Sequence, residues 1–198
     1  MSVGWCQLNR QQATGLRQAE EILRHAPEEL HETPIYYHLL LAIAQDSNQP
    51  FEARHAIFQA GISRWPQYYG LYENMLKRLV PKWGGSWGLV DQSIRDWSSQ
   101  RVAEEGASLY SRLYARVLLD GAKVEETMIQ WPTMKASLED LVKLYPDSYN
   151  WSIVASSACL FGDRALFQLS MEKLPANRIQ VSAWIRGTAP DICMQRFR

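Results

Sequence analysis

Leu79-Val80-Pro81-Lys82-Trp83-Gly84-Gly85-Ser86-Trp87-Gly88 lies near the middle of the 198-residue chain, and its reading decides the fold class. Residues 84–88 satisfy G-x-S-x-G, the pattern of a nucleophilic serine on a sharp turn between a strand and a helix. That arrangement needs a strand ahead of the serine and a histidine base after it. Neither is present. Tyr68, Leu71, Tyr72, Met75, Leu76 and Leu79 recur at helical spacing before the turn, and the last of the four histidines is His55. Trp87, Val90, Ile94 and Trp97 then form an amphipathic helical face after it. The stretch therefore reads as a turn between two helices. Pro81 fixes its own φ, Gly84 and Gly85 permit conformations closed to other residues, and Ser86 is placed as a helix N-cap. Trp83 and Trp87 predict a packed turn, with Trp87 as its anchor.

Outward from this turn the helical period continues. Apolar stripes run through Leu16, Ala19, Ile22 and Leu23; through Tyr36, Leu39, Leu40 and Ile43; and through Ala53, Ala56, Ile57, Ala60 and Arg64. The small residues of the third stripe predict a close helix crossing. Thr33-Pro34 gives an N-cap with proline at the first helical position. In the second half, Leu109, Tyr110, Leu113, Tyr114, Val117 and Leu118 cover so wide an arc that the helix is expected to be central. Val124 to Trp131 reads as a short piece closed by Pro132. Helices follow through Met134, Leu138, Leu141, Val142 and Tyr145, through Trp151, Val154, Ala155, Ala158 and Phe161, and from Arg164, behind an Asp163 cap, to Leu174. Gln180 to Trp184 is the one weak strand candidate.

Composition excludes several classes of function. Lys+Arg and Asp+Glu both number 21, so no general field draws the chain to nucleic acid or acidic lipid. Cys6, Cys159 and Cys193 show no C-x-x-C spacing and read as reduced thiols, which predicts a cytoplasmic setting. The opening residues lack the basic start and apolar run of a secretory signal. The longest apolar stretch, Ile35 to Ala44, falls well short of the roughly 20 residues that a membrane span requires. His25, His31, His38 and His55 match no metal-binding spacing, no phosphate-binding glycine loop occurs, and neither metal nor cofactor is expected. Glu28, Glu29 and Glu32 and the pairs Glu104-Glu105 and Glu125-Glu126 read as solvated connections.

The breaks at Pro27, Pro66, Gly106 and Pro146 recur at about forty residues, each between two amphipathic helices. Trp65-Pro66-Gln67-Tyr68-Tyr69 and Tyr145-Pro146-Asp147-Ser148-Tyr149 share an aromatic-Pro pair with a tyrosine three residues after the proline, and each incoming helix carries alanine at Ala56 or Ala136. Helix pairs of this kind resemble tetratricopeptide and related α-solenoid repeats, in degenerate form. Pro81-Lys82-Trp83-Gly84-Gly85-Ser86 is similar to the turn of a family of uncharacterised bacterial helical domains. The first resemblance implies an all-α solenoid of antiparallel helix pairs. The expected organisation is one domain over residues 1–198, with halves 1–80 and 86–175 joined by the 81–87 turn and a tail over 176–198.

A concave helical surface holds another protein or a peptide. The expectation is a non-enzymatic, cytoplasmic interaction protein of bacterial type. By analogy, a toxin-neutralising immunity protein or an effector adaptor fits that description. Trp83, Lys82, Tyr68 and Tyr72 are the candidate partner-binding residues. Pro81, Gly84, Gly85, Ser86 and Trp87 are the structural turn. The competing expectations are an enzyme with a carboxylate and arginine site in the groove, and a structural segment of a larger protein.

Overall fold

The computed structural model describes the backbone of residues 3–197 and, Ala176 excepted, the side chains of 11–197. Trp5 and Cys6 lie outside the described side chains. The described chain is all-α, with no strand. The first five helices are α1 (Val3–Arg24), α2 (Glu28–His31), α3 (Pro34–Asp46), α4 (Phe51–Arg64) and α5 (Gly70–Lys77). They are followed by α6 (Trp87–Gln100), α7 (Val102–Glu105), α8 (Ser108–Leu119), α9 (Trp131–Leu144), α10 (Ser148–Phe161), α11 (Arg164–Lys173) and α12 (Pro190–Arg196). Two compact units result, residues 1–84 and 85–198. Their boundary falls inside the 81–87 turn, and the expected tail belongs to the second unit.

In the first unit, Thr33 caps α3 by accepting the Tyr36 N–H, with Pro34 in the first turn. The helix buries Leu40, Leu41, Ala44 and Gln45, so its inward face is rotated from the expected one and Leu39 is exposed. In α4 the expected small-residue stripe is also displaced. Phe58, Gly61 and Ile62 are buried, while Ala56 and Ala60 face outward. Burying a phenylalanine and an isoleucine removes far more apolar area from water than burying alanines does. The close approach occurs at Gly61, where an added Cβ would lie 2.7 Å from Leu71 Cδ1 and 3.0 Å from Tyr37 Cβ. Ile22, expected on the inner face of α1, is 72% exposed.

In the second unit, Ser86 caps α6 through the Leu89 N–H at 3.1 Å, and Val90, Ile94 and Trp97 are buried. All six expected positions of α8 are buried. Pro132 opens α9 rather than closing the preceding segment, as proline's missing N–H is no loss in a first turn. Residues 124–126 form a single 3-10 turn. Glu105, expected in solvent, is completely buried, and Arg101 neutralises it at 2.8 Å. Gly106 follows at φ 57°. A side chain there would meet Asp140, which accepts the Ala107 N–H at 2.8 Å.

α10 is buried on every side from Ser152 to Cys159. Its serines organise the C-terminal segment: Ser152 Oγ accepts the Gln180 N–H at 3.1 Å, and Ser156 Oγ accepts the Ile185 N–H at 2.8 Å. Those bonds hold Val181–Ala183 as a 3-10 turn, which overturns the strand reading of this stretch. A second correction concerns the cysteines. Cys159 in α10 and Cys193 in α12 form a disulfide, with Cα atoms 5.8 Å apart, rather than two reduced thiols.

The two units share one plan. Each begins with a long helix (α1, α6), continues with a four-residue helix (α2, α7), and adds a helix of 13 or 12 residues (α3, α8) and one of 14 (α4, α9). A helix after an aromatic-Pro pair completes the set (α5, α10). α2 and α7 start 74 residues apart, as do α3 and α8, whereas α4 and α9 start 80 apart. The longer connection between α8 and α9 accounts for the change. Packing follows the same order, with α1 on α3, α3 on α4 and α4 on α5 matched by α6 on α8, α8 on α9 and α9 on α10. The ends of α4 and α9 agree in detail. Trp65 (φ −128°, ψ 67°) donates to Gly61 O, and Tyr145 (φ −133°, ψ 74°) donates to Leu141 O. Each precedes a proline that disfavours a further helical residue. An arginine lies over each ring, Arg64 at 4.6 Å from Trp65 and Arg112 at 5.2 Å from Tyr145.

Candidate functional site

Beyond α5 the first unit ends in a turn whose backbone is fully specified. Val80 is extended, as a residue before proline should be, and Pro81–Trp83 form one 3-10 turn. Trp83 N–H bonds Val80 O and Gly84 N–H bonds Pro81 O, both at 3.0 Å. Gly84 then closes the turn at φ 89°, in the left-handed region that suits glycine. The expectation of a packed turn is not met. Pro81, Lys82, Trp83 and Gly84 are exposed and Trp87 is half-buried. Neighbouring Leu79 and Val90 are the buried apolar residues, each in the core of its own unit.

Trp83 is 53% exposed, and two cations flank its ring. The Arg78 guanidinium lies 4.8 Å from the ring centroid and the Lys82 ammonium 5.4 Å. Arg78 also donates to Asp46 Oδ1 at 3.1 Å, a second contact that restrains the guanidinium. The indole is thus held by its backbone turn and by cation–π contact, each such contact worth about 0.5–1 kcal/mol at an exposed site. A fixed aromatic surface bordered by positive charge can receive an apolar or aromatic side chain together with a carboxylate.

Of the four residues singled out from sequence, Lys82 and Trp83 come together here. Tyr68 is half-buried, its ring set edge-on against His38 at 5.9 Å. Tyr72 is 1% exposed, donates its hydroxyl to Pro66 O and belongs to the core, so it is withdrawn as a contact residue. Burial, and then the Lys77 ammonium, hold the His38 imidazolium below its ordinary pKa of 6.5, so this histidine is neutral at pH 7. Arg78 is the member that sequence reasoning missed. Its signal was position: it is the C-cap of α5, five residues ahead of the indole.

Three carboxylates of the second unit that lie mostly out of water, Asp91, Asp163 and Glu105, pair with arginine or lysine, each at its own place. Asp91 on α6 accepts from Tyr114 of α8 at 2.5 Å and from Arg95 at 2.7 Å. Burial first, then the bond to Asp91, pushes the Tyr114 phenol up from 10.0, and Asp91 likewise raises Arg95. Both groups therefore keep their protons throughout the neutral range, and the trio ties α6 to α8. Asp163 caps α11 through the Leu166 N–H at 3.0 Å and pairs with Lys135 of α9 at 2.8 Å. Lys135, followed by that N–H, holds the Asp163 carboxyl below its ordinary range. The third place is the Arg101–Glu105 pair. Among the described residues no cluster of three or more His, Cys, Asp or Glu side chains is arranged to hold a metal ion. No described helix is long and apolar enough to cross a membrane. Compared with protein-family models, curated proteins and solved structures, the chain gives no match.

Proposed function

We propose that the chain is a protein-interaction module of the tetratricopeptide-like solenoid kind, non-enzymatic, that grips its partner through Trp83. The observation that carries this reading is a tryptophan 53% exposed on a rigid turn between Arg78 and Lys82. An indole left in water forgoes the burial that its large apolar surface would otherwise gain, and Trp and Arg are the residues enriched where binding energy concentrates. The flanking cations specify the partner's chemistry as a segment that presents a carboxylate beside an apolar or aromatic side chain. A balanced overall charge supports a protein or peptide over nucleic acid or a membrane surface. A bacterial toxin bound by its immunity protein, or an effector bound by its adaptor, is a partner of the expected class.

The test is capture from the native host with wild-type protein, Trp83→Ala, Lys82→Glu and Val181→Ala as bait. Val181 is 72% exposed and serves as the surface control. The expected result is one protein retained by wild type and by the control but lost with both turn variants. Retention of every partner by Trp83→Ala would contradict the proposal.

A further inference from the structure

Helix α12 has seven residues, and its one buried side chain is Cys193, the half-cystine itself. Ile192 and Met194 on either side are 50% and 43% exposed. A helix this short does not persist in water, and one with so little apolar burial gains little from packing. Its other ties include Arg196, which donates to Cys159 O at 2.8 Å, and Phe197, which meets Phe167 with ring centroids 5.1 Å apart. The segment immediately before it is held differently. Ala183, Trp184 and Ile185 are buried, and Thr188, 2% exposed, bonds both Ser156 and Ile185 O. The hold on the C-terminal chain therefore changes character at residue 189: packing and hydrogen bonds secure the residues before it, and a covalent bond joins the few contacts of Arg196 and Phe197 that hold the segment after it.

We propose that Cys159–Cys193 is a redox latch that docks α12 and that its reduction releases residues 190–197 while the rest of the second unit stays folded. The reductant is a dithiol. One of its thiolates attacks a sulfur of the pair, the other cysteine leaves as thiolate, and the second thiol of the reductant resolves the mixed disulfide. Two electrons and two protons pass to the cysteines, and the reductant becomes a disulfide. Both cysteines are buried, at 1% and 0% exposure, so a transient local opening around the bond admits the reductant, and reduction then makes the release of α12 lasting. Release uncovers Cys159 and the Phe167 ring, which is 3% exposed with α12 in place.

Hydrogen exchange on the full-length chain tests this in three states: oxidised, reduced with dithiothreitol and confirmed by intact mass, and Cys193→Ser, which needs no reductant. Cys193 N–H bonds Ala189 O and Phe197 N–H bonds Cys193 O when α12 is docked. These amides are expected to exchange at least about tenfold faster in the reduced chain and in Cys193→Ser. The Ile185 amide and those of α8 should be unchanged. Unaltered protection of α12 in either open state would overturn the latch. So would a matching loss of protection at Ile185 and across α8, since the bond would then support the whole unit.

Discussion

The two units start from the same five-helix plan and finish it differently. In the second, α10 runs 14 residues and is enclosed by α11 and the C-terminal segment, so its Ser/Ala-rich surface is taken up by internal contacts. In the first, α5 has eight residues, packs on α3 and α4, and gives way to a turn that presents Trp83 to solvent. One build thus yields a core helix in one place and an exposed, cation-flanked indole in the other. An equivalent position in a repeat does not imply an equivalent role, and residues that depart from the shared plan are the ones to examine for function.

The sharpest break in the comparison lies at the short helices. Position 105 carries a buried glutamate, whereas the corresponding residue of α2 is His31, half-buried and turned to Leu23 O at 3.3 Å. Glu105→Ala removes the carboxylate that pairs with the buried Arg101 guanidinium and is expected to cost about 3–5 kcal/mol, read from chemical denaturation. His31→Ala should cost less than about 1 kcal/mol.

Gly61 and Leu141 sharpen it further, because each accepts the N–H of the aromatic residue that ends its helix. Leu141 is wholly buried, and Leu141→Ala is expected to lose about 2–5 kcal/mol through the cavity it leaves. Gly61→Ala presses a methyl onto Leu71 and Tyr37 and should cost about 1–3 kcal/mol by overpacking. Opposite changes of volume, both destabilising, would show that one contact is filled from opposite sides in the two units.

Asp163 belongs to the second unit alone. Asp163→Ala removes an N-cap and is expected to cost about 1 kcal/mol. Its folded pKa is depressed, so the contribution is fully present above the ordinary 3.8 and is lost as pH falls through the lower folded value. Wild type and variant should therefore differ most near neutrality and converge in acid.

The sequence made the helices legible because caps and breakers are local. Thr33-Pro34, Ser86 and Asp163 stand where they were expected to stand. Which face turns inward was less legible. In α3 and α4 apolar residues occupy several sides, and the choice between Leu39 and Leu41, or between Ala60 and Gly61, is made by neighbours distant in the chain. The Cys159–Cys193 bond and the buried Glu105 were invisible for the same reason. At the candidate site Trp83 and Lys82 could be read from their turn, but the burial of Tyr72 and the arrival of Arg78 depend on how α5 packs and ends.

The denaturation free energy of Trp83→Ala tests the account most directly. If the indole is a surface residue held by two cations, the variant should lie within about 2 kcal/mol of wild type. A loss of about 3 kcal/mol or more, the cost of truncating a core tryptophan, would place Trp83 in the interior and contradict the account.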